Sequence, residues 1–226
     1  MDQRERQPSD SFAAAALLAL AGGFLDAYTY LCRGGVFANA QTGNMVLLGV
    51  RAAEGRWAEA ASYLAPIGAF ALGVLVAEAV KLLHRHPGRF HWRHTVLLAE
   101  ILALGAAALI PVGEWDSAVN VLVSFVCALQ VETFRKVRGY PFASTMCTGN
   151  LRSGTDALFH GLTQHDRALL RRAGCYFAVI GCFILGAVLG AVLAPGAPRA
   201  AVLIPAAFQL AVFFLMWEHR PAQPEA

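Results

Sequence analysis

Two carboxyl side chains lie in apolar stretches at matched distances from a repeated polar tripeptide. Asp26 precedes Thr42-Gly43-Asn44 by 16 residues, and Glu132 precedes Thr148-Gly149-Asn150 by the same 16. The two arrangements stand 106 residues apart. An acid at the centre of a membrane helix costs roughly 2.5–3.5 kcal/mol on insertion scales. It must face protein, face water or hold a proton, which suits ion or proton handling. The tripeptides suit the same chemistry. Gly permits close backbone approach or a positive φ, and Thr or Asn caps a helix that begins within the membrane. The free amides and positive dipole end of such a helix attract negative charge. Asn39 and Gln41 add polar groups beside the first copy, and Ser144 and Thr145 beside the second. The candidate substrate or ion site therefore comprises Asp26, Asn39, Gln41, Thr42, Gly43, Asn44, Glu132, Thr148, Gly149 and Asn150.

Each feature also has a structural reading. Arg135 follows Glu132 by three residues and is placed to pair with it on one helix face. Gly and Asn alone make tight packed turns. Two other acids interrupt apolar runs. Glu78 has Lys81 three residues on, while Glu100 has no partner nearby in sequence and is the weaker functional candidate. His84, His86, His91 and His94 cluster with Arg85, Arg89 and Arg93. Without a Cys or carboxylate, and with arginines opposing a cation, this reads as a basic loop near anionic lipid rather than a metal centre.

These residues must be held by membrane helices. Apolar residues make up 57% of the 226 positions and charged residues only 15%, against ~45–50% and ~25% in soluble domains. Mean hydropathy is +0.52. The apolar residues form long runs rich in Ala, Leu and Gly, without the alternation of strands. The stretch Ala13–Ala21 after Arg4 and Arg6 could mimic a secretory signal, but it continues to Leu31 and reads as an uncleaved span. The five cysteines fall in or beside apolar segments and read as small buried residues, not a disulfide framework. A net charge of +3 with no basic, aromatic-laced stripe excludes a nucleic-acid partner. Nucleotide-binding and hydrolase motifs are missing, so an ATPase or hydrolase has no visible machinery, and no cofactor is expected.

The repeat extends beyond the acids and tripeptides. Ile67-Gly68-Ala69-Phe70-Ala71-Leu72-Gly73 returns as Ile180-Gly181-Cys182-Phe183-Ile184-Leu185-Gly186, 113 residues later. These glycines are expected to let helices approach closely. Six stretches are long enough to cross ~30 Å: Phe12–Leu31, Ser62–Leu83, Thr95–Val112, Ala118–Phe134, Ala173–Ala194 and Ala200–Trp217. Phe37–Ala52 and Phe142–Leu162, which hold the tripeptides, are too short and interrupted. If they do not cross, the Lys and Arg residues divide 14 to 4 between the two sides; if both cross, the division is 9 to 9. Basic residues favour the cytoplasmic side, so the sequence predicts six spans with cytoplasmic termini. Three spans per repeat invert the second copy. The expected fold is an all-α membrane protein, an inverted 3+3 repeat with two short re-entrant segments. Repeat one covers about 11–113 and repeat two about 117–218, in a single domain with short cytoplasmic tails at 1–10 and 219–226.

The stretches G-G-F-L-D-A-Y-T-Y-L (22–31), F-A-N-A-Q-T-G-N-M (37–45) and F-A-S-T-M-C-T-G-N-L-R-S-G (142–154) resemble the YoaK-like family of uncharacterised bacterial inner-membrane proteins. The resemblance implies a multi-spanning protein of the bacterial inner membrane and carries no established activity. The residues themselves suggest a small secondary transporter, proton-coupled if Asp26 carries the proton, with its site between the repeats. A channel-like pore with paired re-entrant segments is the alternative. An intramembrane enzyme would have to rely on Cys147 as nucleophile, and packing glycines alone could serve a structural membrane protein. The expected partners are a small solute or ion and the bilayer, and a homo-oligomer is compatible with the sequence.

Overall fold

The computed structural model describes residues 8–83 and 92–218. Among them are eight helices: α1 (Phe12–Cys32), α2 (Gln41–Ala53), α3 (Trp57–Leu83), α4 (Trp92–Leu109), α5 (Asp116–Thr133), α6 (Cys147–Thr163), α7 (Arg167–Leu193) and α8 (Leu203–Glu218). A two-residue hairpin joins β1 (Lys136–Val137) to β2 (Tyr140–Pro141). Most of the basic histidine loop, including His84, His86 and His91, lies outside the described residues.

Four helices, α1, α3, α4 and α7, are long and apolar enough to cross a membrane. The Leu203–Trp217 stretch of α8 is apolar but shorter. Leu75, Leu102, Leu109, Ile184, Val188, Val192 and Phe214 are exposed on α3, α4, α7 and α8, an apolar exterior that water would penalise and lipid would not. This is an all-α membrane protein. Helix α5 carries Asn120, Ser124 and Gln130, all buried against other helices. Its low apolarity follows from a central position, where protein rather than lipid meets its polar residues.

Packing contacts fix the helix directions. At one end of α1, the Arg33 guanidinium contacts Asp116 at 2.9 Å, and Asn120 Nδ2 donates to the Arg33 carbonyl at 2.6 Å. Toward the other end, Gln130 Nε2 donates to the Leu18 carbonyl at 3.2 Å. Residue numbers therefore rise in opposite directions along α1 and α5. Helices α1 and α7 run the same way: Ala15 and Ala19 cluster with Cys175, Tyr176 and Val179, while Phe24 lies against Gly190. Helices α3 and α5 also run together, with Gly73 beside Phe125 and Ala77 beside Leu129. The pairings α1–α7 and α5–α3 are thus copies of each other under the sequence repeat, as are α2–α3 and α6–α7.

The repeated heptapeptide has two unlike glycines. A Cβ on Gly186 would collide with the Leu20 carbonyl oxygen, and one on Gly73 would lie 2.7 Å from both Phe125 O and Ala128 Cβ. Gly181 and Gly68 have open space instead. Only the second glycine of each copy allows the close helix approach expected from the sequence.

The two tripeptides begin helices. The chain leaves α1 through Gly34 and Gly35, at φ 86° and 77°, conformations that favour glycine. It then turns back along α1, so that Asn39 reaches the level of Asp26 and Gly22, and α2 starts there. The hairpin after α5 turns at Arg138 and Gly139, both at positive φ. The chain returns along α5 to place Ser144 beside Gln130, and α6 starts just beyond. At the end of α2, Arg51 and Arg56 bracket Glu54 at 2.9 and 3.4 Å. The Arg51 hydrogen bond, chief among these contacts, holds the Glu54 carboxyl below its usual range.

Candidate functional site

Asn44 and Asn150 do the same job in the two halves. The Phe37 N–H donates to Asn44 Oδ1 at 2.9 Å, and Asn44 Nδ2 donates to the Phe37 carbonyl at 2.7 Å. The Ala143 N–H donates to Asn150 Oδ1 at 3.3 Å, and Asn150 Nδ2 donates to the Ala143 carbonyl at 2.6 Å. Positions 37 and 143 are themselves 106 residues apart. Each asparagine ties the first turn of its short helix to the incoming loop. It pairs both backbone groups of one part-buried loop residue, its N–H and its carbonyl.

This differs from the capping role expected of Thr or Asn. The N-cap positions are Ala40 and Met146, and no side chain caps either helix. The tripeptides lie within the first turn, so Asn44 and Asn150 reach backward to the loop. Nor do Gly43 and Gly149 adopt positive φ. Gly43 packs against the Phe37 ring, where a Cβ would come within 3.0 Å, whereas Gly149 has open space before it.

The two loops converge on one point of α1. Asn39 Nδ2 donates to the Gly22 carbonyl at 3.0 Å. The Thr145 side chain lies against the same glycine and would collide with any Cβ there. One turn along, Asp26 Oδ1 accepts the Asn39 N–H at 2.7 Å. Asp26 and Asn39 are both 6% exposed, so the carboxyl is almost wholly protein-covered and secures the first loop.

A cavity of about 880 Å³ opens beside this junction. Its polar lining combines Asp26, Tyr30, Asn39, Gln41 and Thr42 from the first half with Thr145, Cys147, Thr148 and Gly149 from the second. Phe37 stacks on Tyr30 with ring centroids 4.7 Å apart at one wall. The cavity extends along α1 from Asp26 to Leu31 and along α7 from Phe183 to Ala191, toward the end where α1 finishes. Among the described lining residues, Asp26 alone carries a formal charge. Its volume falls within the usual ~300–1,000 Å³ of small-molecule sites.

The ten sequence-derived positions separate into three groups. Asp26, Asn39, Gln41, Thr42, Thr148 and Gly149 line the cavity. Gly43, Asn44 and Asn150 stand behind the wall and shape it. Glu132 lies elsewhere: Arg135 contacts it at 2.9 Å and also approaches Glu78, which Lys81 holds at 2.9 Å. The structural reading of Glu132 and of Glu78 describes these contacts. Among the described residues, no three His, Cys, Asp or Glu side chains come together as a metal site.

A buried polar chain runs from Glu100 of α4 through Gln209 of α8 to Gln130 of α5, and of these Gln209 does not stand out in the sequence analysis above. Gln209 Nε2 donates to Glu100 Oε2 at 2.9 Å and approaches Gln130 Oε1 at 3.3 Å. Gln130 Nε2 in turn donates to Ser144 Oγ at 2.9 Å. Gln209, the lone polar residue between Leu203 and Trp217, was the available signal.

The family profile described as a protein of unknown function, DUF1275, matches residues 14–215. The chain belongs to this family. The match spans both repeats and the whole cavity, and it agrees with the resemblance to an uncharacterised family seen in the motif segments. No curated protein and no solved structure matches the DUF1275 chain.

Proposed function

We propose that this DUF1275 chain is a small secondary transporter whose solute binds in the cavity beside Asp26. One observation carries the reading: two duplicated helix starts, one from each half, meet at Gly22 around a single buried carboxyl. Uncovered backbone at membrane depth is tolerated where it borders a water-filled space. Discontinuous helices at a repeat interface are how many carriers bind solutes.

The proposed topology has six crossings, α1, α3, α4, α5, α7 and α8, with α2 and α6 as half-helices entering from opposite sides. The opposed directions of α1 and α5 support an inverted 3+3 arrangement, as does the repeated pairing of helices. The 14-to-4 division of basic residues supports cytoplasmic termini in a bacterial inner membrane. In that orientation the cavity faces outward. Its inner end is closed where Thr145 meets Gly22 and where Phe183 meets Gly23. Rocking α1 and α7 against α3 and α5 would open the opposite side.

The test is solute-evoked current from the full chain in liposomes on a solid-supported membrane. The panel comprises monovalent cations, amino acids, polyamines and short carboxylates, with and without a proton gradient. One solute class is expected to evoke a saturable response. Asp26→Asn keeps an acceptor for the Asn39 N–H but removes the charge. Losing one charge-assisted contact of ~1.5–3 kcal/mol is expected to weaken apparent affinity about tenfold to a hundredfold. Unchanged affinity in Asp26→Asn, or silence across the panel, would count against the proposal.

A further inference from the structure

Glu100 is fully buried where α4 crosses α8, 0% exposed. Its Oε2 accepts one hydrogen bond, from the neutral amide of Gln209, and its Oε1 has no partner. Among the described residues it touches no cation, unlike Glu78 and Glu132. The titratable groups around it are few. His94 lies earlier on α4 and packs edge-on against Phe213 and Trp217. From α5, Cys127 lies within electrostatic range of both Glu100 and Asp26 of α1. The acid and base of α3, Glu78 and Lys81, are bonded to each other. Helix α8 presents the neutral Gln209. A carboxylate so placed would lack the donors that buried charge requires.

A metal ion fits this site poorly. The group that Gln209 turns toward Glu100 is its N–H₂, and the orientation is fixed by two acceptors, Glu100 Oε2 and Gln130 Oε1. A metal would need oxygens there. A proton needs only the vacant Oε1.

We propose that Glu100 is a reversible proton-binding site read at the cavity through Gln209, Gln130 and Ser144. With the proton on Oε1, Oε2 keeps its one donor, Gln209 remains shared with Gln130, and the O–H left without an acceptor costs less than an unpaired buried charge. When the proton leaves to water, the carboxylate draws the Gln209 amide fully to itself and the 3.3 Å contact to Gln130 is lost. Gln130 holds Ser144, and Ser144 precedes Thr145, whose side chain closes the cavity against Gly22. Protonation of Glu100 would thus bias the loop at which the two halves meet. This coupling rests on the transport reading; the proton site itself does not.

The test is infrared difference spectroscopy of the full chain in liposomes, with pH as the sole variable. The C=O stretch of a protonated carboxyl is expected near neutral pH, bleaching as pH rises. Glu100→Gln, which keeps the side-chain volume, should remove this band, whereas Asp26→Asn should retain it. Gln209→Leu deprives the ionised form of its donor and should move the bleaching up by about one to two pH units. Wild-type and Glu100→Gln spectra that coincide throughout the titration would overturn the proposal. So would a midpoint unmoved by Gln209→Leu, a variant that also tests the site should Glu100→Gln fail to fold. If the band titrates as stated but no solute evokes current, the transport reading falls and the proton site stands. Asp26-dependent current with no Glu100 band has the opposite meaning.

Discussion

Gly186→Ala is expected to destabilise the protein by more than about 3 kcal/mol, whereas Gly181→Ala in the same heptapeptide is expected to be neutral or stabilising by up to ~1 kcal/mol. The asymmetry follows from what each new methyl group would meet. At Gly186 the obstacle is the Leu20 carbonyl, so a side-chain rotation cannot relieve it and α1 and α7 must separate. At Gly181 there is open space, and the helix gains a better helix-forming residue. The same contrast should appear between Gly73→Ala and Gly68→Ala, more weakly, because the overlap at Gly73 is smaller, 2.7 Å to Phe125 O and Ala128 Cβ. Thermal unfolding in lipid nanodiscs measures all four. Equal losses at Gly181 and Gly186 would mean that α1 and α7 do not meet as described.

Arg33→Ala is expected to be the most damaging polar substitution, costing about 3–5 kcal/mol. The guanidinium is wholly buried at the end of α1. It donates to the Tyr28 hydroxyl at 2.7 Å, to the Pro111 and Ile110 carbonyls at 2.8 and 3.1 Å, and to Asp116 Oδ1 at 2.9 Å. It thereby covers free carbonyls at the end of α4 and joins them to the start of α5, at the connection between the two halves. Removing it strands several acceptors at once. Asp116→Asn is a milder change, since that side chain is 20% exposed and can still accept. Unfolding midpoints of the two variants give the comparison. A loss for Arg33→Ala no larger than for Asp116→Asn would show that the carbonyl contacts contribute little.

Much of the architecture was legible because duplication writes the same geometry twice. Asn44 and Asn150 repeat at the spacing of the whole unit, and their hydrogen bonds to positions 37 and 143 repeat with them. Their role was not legible, since a backward bond to a loop depends on where the helix begins. The sequence placed α3 from Ser62 and α7 from Ala173, yet they begin at Trp57 and Arg167. Charged first turns hide helix starts from a reading based on apolarity. The pairing of Asp26 with Glu132 was an inference from spacing. Position in the repeat does not determine environment: Asp26 faces a loop in the bundle, while Glu132 sits beside Arg135. Glu100 had no repeated counterpart and no local partner, so only the fold could place it against Gln209, 109 residues away.

The central claim is that water reaches the junction of the two halves inside the membrane. Cys147, on the cavity wall at the start of α6, reports this directly. The other cysteines, at positions 32, 127, 175 and 182, would be replaced by alanine, and the protein in intact liposomes exposed to a charged, membrane-impermeant methanethiosulfonate. Modification of Cys147 in the folded protein, slowed by bulk introduced at the cavity mouth in Ala191→Phe, is the result predicted here. A Cys147 that stays unmodified with the reagent on either side, yet reacts fully once the protein is denatured, would contradict it.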